Sequence, residues 1–109
     1  MFDEFERRLL SCGYFNVLSW GADRVELTSA CEGHYWLLKK FEEEGYPGLV
    51  LYHSHDKGNF YHVHACYKRQ DLTPAITEII NHDNFIKKKY KERKKFTLVS
   101  NSALIRAIS

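Results

Sequence analysis

Apolar residues recur along this chain at two spacings, three to four apart in some stretches and every second residue in others. The change of period marks the elements. Phe2, Phe5, Leu9 and Leu10 lie at helical spacing among Asp3, Glu4, Glu6, Arg7 and Arg8, which predicts a short amphipathic helix stopped near Gly13. Residues 14–20 (YFNVLSW) are aromatic and β-branched and predict a strand. Gly21-Ala22-Asp23 reads as a turn, and the alternation in 24–28 (RVELT) predicts a second strand. Ser29-Ala30-Cys31-Glu32 then has the form of a capping box, which predicts a helix over about 30–44 closed by Gly45 and Pro47. A rival reading makes 34–41 a strand turned back at Cys31-Glu32-Gly33, since Glu42, Glu43 and Glu44 would oppose the dipole at a helix C-terminus.

The clearest unit is Leu49–His55 and Phe60–Tyr67, two strand-like runs joined by Asp56-Lys57-Gly58-Asn59. Turn residues between alternating runs predict a β-hairpin. Thr73-Pro74 supplies an N-cap and a first-turn proline, and Ile76, Ile79, Ile80 and Ile86 follow at helical spacing. A helix is expected to about Lys94, with Asn81-His82-Asp83-Asn84 as a point of bending, before a last strand over 96–99. From residue 24 the expected order is the ferredoxin-like βαββαβ, with an extra helix and strand ahead of it. The fold class is α+β: one domain over 1–109, an antiparallel sheet with helices on one face.

Composition bounds the function. With 44% hydrophobic and 15% aromatic residues, a chain of 109 residues can bury a core, which excludes general disorder. No apolar run approaches a membrane span, and the charged start does not read as a secretory signal. Cys12, Cys31 and Cys66 form no CxxC pair and are odd in number, so a reducing, cytoplasmic setting is expected, with Cys31 and Cys66 as small core residues. Charge is uneven: residues 1–86 carry 8 Lys/Arg against 13 Asp/Glu, and residues 87–109 carry 8 against 1. Lys87, Lys88, Lys89, Lys91, Arg93, Lys94 and Lys95 form a block that can collect phosphates, or a solvated helix end suited to the dipole.

Four histidines, His53, His55, His62 and His64, fall within twelve residues of the hairpin. A two-residue turn at Lys57-Gly58 sets His53 opposite His62 and Leu51 opposite His64. Alternation then sends all four imidazoles to one face, and Tyr52, Tyr61, Val63 and Tyr67 to the other. Opposed Cβ atoms stand roughly 4.5–5.5 Å apart, close enough for two or three imidazoles to meet one divalent ion, Zn²⁺, Mn²⁺ or Mg²⁺. The same face also reads as an ordinary wet surface carrying polar, strand-tolerant residues.

The stretch His55-Asp56-Lys57-Gly58-Asn59-Phe60-Tyr61-His62-Val63-His64 resembles a pattern of the HUH endonucleases, in particular small rolling-circle plasmid replication initiators. The resemblance implies a ferredoxin-like sheet, His62 and His64 as a metal-binding pair, and a further ligand from His55 or Asp56. It also implies that Tyr90, among the lysines, is the nucleophile that attacks a DNA phosphate. Two other functions compete with metal-dependent nicking. One is a small non-catalytic protein of phage or mobile-element type that acts on a host protein or nucleic-acid complex. The other is nucleic-acid binding without cleavage through residues 87–95. The interaction protein is the leading expectation.

Overall fold

The structure is a computed structural model that describes residues 1–57 and 61–89. Helix α1 (Glu4–Leu10) is followed by five strands, β1 (Asn16–Trp20), β2 (Arg24–Thr28), β3 (Tyr35–Glu43), β4 (Tyr46–Ser54) and β5 (His62–Tyr67). A second helix, α2, is helical over residues 73–89, to the last described residue. The strands pair antiparallel in the order β1-β2-β3-β4-β5, each with its neighbour in the chain. The class is α+β, with one five-stranded antiparallel sheet and two helices packed on it.

The expected helix over 30–44 is a strand, and this changes the topology. Residues 35–43 pair along their whole length with β4, from Tyr35 opposite Ser54 to Glu43 opposite Tyr46. Their burial alternates: Trp36, Leu38 and Lys40 are buried while Tyr35, Leu37, Lys39 and Phe41 are half-exposed. Pairing on both sides satisfies the backbone and overrides the local capping-box signal. Residues 24–67 are therefore a meander of strands, and the ferredoxin-like order does not hold there. The last expected strand, 96–99, lies outside the described residues, as does the stretch of helix expected from 90 to 94. Within α2, residues 81–84 continue the helix without a break. The cysteines are free, with Cys31 half-buried but Cys66 exposed, so Cys66 is not a core residue.

One face of the sheet carries the core in rows. Cross-strand pairing lines up Leu27, Trp36, His53 and His62, and beside them Val25, Leu38, Leu51 and Ala65. Phe2 and Leu10 from the α1 end, and Leu72, Ala75 and Ile79 from the α2 end, complete this cluster. The hairpin register is as expected for His53 opposite His62 and Tyr52 opposite Val63. It then slips by one residue, so that Leu51 faces Ala65 and His64 is the inserted residue of a bulge. The slip turns Ala65 and Tyr67 onto the core, where Tyr67 was expected to face away.

The end of this face near α1 holds a buried charge. Lys40 Nζ donates to Glu6 Oε1 at 2.7 Å and to the Met1 carbonyl at 3.1 Å, and sits over the Phe2 ring at 4.8 Å. Glu6 also closes the capping box of α1 by accepting from the Asp3 amide. The Lys40 and Glu6 side chains retain 9% and 11% of their exposure, so each depends on the other for solvation. Lys40→Met leaves the carboxylate buried and unpaired and is expected to cost about 3–5 kcal/mol in urea unfolding. Adding Glu6→Gln, which keeps the cap acceptor, should restore at least half of that loss.

Candidate metal centre

At the opposite end of the same face, all six histidines of the chain gather around one residue. His53 has His34, His55, His62, His64 and His82 around it, with ring centroids 5.0, 5.0, 5.2, 6.1 and 5.0 Å away. Each ring arrives by a separate local rule. His53 continues the inward parity of Leu49 and Leu51 along β4. His34 precedes β3 with the parity of Trp36, and continuing the β3–β4 register sets it beside His55, at 4.8 Å. His62 is paired with His53, and the bulge aims His64 toward α2. His82 lies three residues past Ile79 and seven past Ala75, on the buried stripe of α2. The Trp36 ring forms the floor, 4.5 Å from His53, 5.0 Å from His82 and 5.2 Å from His64.

Three of these rings bring ligand atoms close together. The ligand atoms of His34, His53 and His82 all lie within 4.8 Å of one another, a spacing at which three imidazoles can hold a metal ion. His34 Nδ1 and His53 Nε2 are 2.8 Å apart, so one ring N–H donates to the other's lone pair. His82 Nδ1 is buried and has no hydrogen-bond partner among the described residues. An unpartnered buried nitrogen is costly unless something such as a cation takes its lone pair.

Two acidic residues of α2, Asp83 and Glu78, act on these rings through their charge. Asp83 is fully buried; its Oδ2 accepts from the Tyr14 hydroxyl at 2.6 Å, while Oδ1 is buried without a partner among the described residues. Burial first, and then the bond to Asp83, push the Tyr14 phenol upward, so it stays protonated as the donor. Across the cluster, His64 Nε2 donates to Glu78 Oε1 at 2.9 Å, one helical turn before His82.

Electrostatics keep the inner rings neutral, the form that binds metal. Burial, followed by the fields of His82, His34, His55 and His62, drives His53 down to about 3. Burial also lowers His34, reinforced by His55, and lowers His82, reinforced by His34 and His64. The Asp83 carboxylate works the other way on both, which means that its field favours positive charge at the triad.

Of the residues singled out in the sequence, His53, His55, His62 and His64 do come together, and His53 is central. His34 and His82 complete the set and were not anticipated. His34 falls inside the helix expected over 30–44, or at the start of the rival strand 34–41, and His82 at the expected bend of the later helix. The helical spacing of 75, 79 and 82 was the available signal for His82. Lys87, Lys88 and Lys89 are exposed on the last described turn of α2. Tyr90, Lys91, Arg93, Lys94 and Lys95 lie outside the described residues. Compared with family models, curated proteins and solved structures, the chain matches none.

The lowered imidazoles make metal-free stability depend on pH. Between the ordinary value of 6.5 and about 3, the unfolded chain binds protons at His53 that the folded chain refuses. His34 and His82 act in the same direction. Stability is therefore full above pH 6.5 and falls as the solution is acidified. In chelator-treated protein the urea midpoint should drop from pH 7 to pH 5, and His53→Gln should flatten that dependence.

Proposed function

We propose that this protein binds a divalent transition-metal ion through His34, His53 and His82, and that the ion fastens β3, β4 and α2 together in a non-catalytic centre. The convergence of three buried or half-buried imidazoles from three separate elements carries this reading. The donor set selects the ion. Neutral imidazoles without a carboxylate among them suit Zn²⁺, Ni²⁺, Cu²⁺ or Co²⁺ rather than Mg²⁺ or Mn²⁺, which prefer oxygen. Asp83 supplies negative field beside the rings while remaining bonded to Tyr14.

Location supports the non-catalytic reading. His53 is 4% exposed and lies against Trp36, His34 is 8% exposed and lies beside His82 of α2, and His82 is half-buried, so an ion at their nitrogens would be set largely into the core. Nicking by the HUH route would use His62 and His64 as the metal pair. Here the Nε2 of His64 is engaged by Glu78, and His62 is the exposed partner of His53. The buried triad is the better-matched site.

Titration of Zn²⁺ into chelator-treated protein should give one equivalent of tight binding by calorimetry. His53→Ala and His82→Ala should each weaken binding more than about 100-fold, beyond the range typical of supporting residues. Zn²⁺ at one hundred times its Kd should stabilise the fold by about 2.7 kcal/mol. No heat of binding, or equal affinity in His53→Ala, would contradict the proposal.

A further inference from the structure

The three rings of the triad account for half of the histidines gathered here, and the positions of the others point to a second role. His55 and His62 are exposed, yet each touches the buried set: His55 lies 4.8 Å from His34 and 5.0 Å from His53, and His62 lies 5.2 Å from His53. His64 differs, being tied to Glu78. The Ser54 hydroxyl, itself buried, accepts from the Asp56 amide at 2.9 Å and turns the chain at His55, so this ring is held at the rim by a local bond. His62 is fixed by its pairing with His53.

Resting on the tri-imidazole reading above, we infer that His55 and His62 are a capture pair, through which a hydrated divalent transition-metal ion is passed inward to His34, His53 and His82. A divalent ion in water carries a shell that must be removed before it reaches His53. Stripping it in one step leaves the cation without ligands on its way inward, which is costly. Imidazoles at the rim remove the shell in stages. Each nitrogen lone pair replaces one water on the ion, and the ion stays coordinated throughout. His55 is in reach of His34 and His53, and His62 of His53, so the transfer proceeds between adjacent ligands. Outside lies water; inside lie Trp36, α2 and the Asp83 field.

A capture pair and a pair of permanent ligands leave opposite kinetic signatures. Residues that only lower the barrier change association and dissociation by the same factor and leave Kd alone. Permanent ligands change Kd chiefly through faster dissociation. The test is stopped-flow Zn²⁺ uptake by the full chain, and Zn²⁺ release to a chromophoric chelator, in the native protein, His55→Gln/His62→Gln and His64→Gln. The double variant should slow both uptake and release by about tenfold at unchanged Kd, with His64→Gln close to native. Native rates in the double variant, or a weakened Kd with faster release, overturn the capture pair while leaving the triad in place. Failure of the native protein to take up Zn²⁺ overturns the triad and the capture pair together.

Discussion

An imidazole buried in a sheet face is tolerated only when its nitrogens find partners, and that constraint organises this protein around His53. The ring stands in line with Leu27 and Trp36 on the core side of the sheet, where an aliphatic residue would satisfy the packing. Its Nε2 is met by His34, just ahead of the preceding strand, and the rings of β5 and α2 close around it. Because those neighbours come from the segment leading into β3, from β5 and from α2, the position of His53 ties the helix and the meander to one another. The sheet face thus has a polar anchor at each end. Lys40 and Glu6 hold α1 as an ion pair, whereas burial favours the neutral form of His34, His53 and His82.

The two anchors differ in what they need. The Lys40–Glu6 pair is complete in itself, with hydrogen bonds that offset the desolvation of both partners. The histidine end is incomplete: a ring nitrogen of His82 and a carboxylate oxygen of Asp83 are buried without partners among the described residues. A cation placed among the three lone pairs satisfies the first directly and the second through its field. On the proposed reading, an ion at the triad would bring this end of the face to the same degree of completion as the other.

Much of the fold was legible in local chemistry. The α1 stripe, the β2 alternation and the two strand-like runs of the hairpin are signals read over short windows, and each corresponds to an element, while the turn residues Gly58 and Asn59 lie outside the described residues. The stretch 34–43 defeated that reading because both faces are substantially apolar and the residue buried at position 40 is a lysine, which hides the two-residue period. Its strand identity comes from pairing with β2 and β4, information that lies far along the chain. The bulge at His64 was equally hidden, since it depends on fitting Ala65 and Tyr67 into the core. For the site, density of histidine in the hairpin pointed to the right place but not to the right set. His34 and His82 join through the strand register and the helix stripe, which become meaningful only once those elements are assigned.

The account rests on three particular rings sharing one ion beneath α2. The most direct measurement is ¹⁵N NMR of the imidazole nitrogens during a Zn²⁺ titration at neutral pH. One nitrogen each of His34, His53 and His82 should move to a metal-bound shift together, saturating at one equivalent, while the His64 nitrogens stay near their starting values. A response limited to the exposed rings of His55 and His62, with His53 unchanged at saturation, would contradict the buried centre.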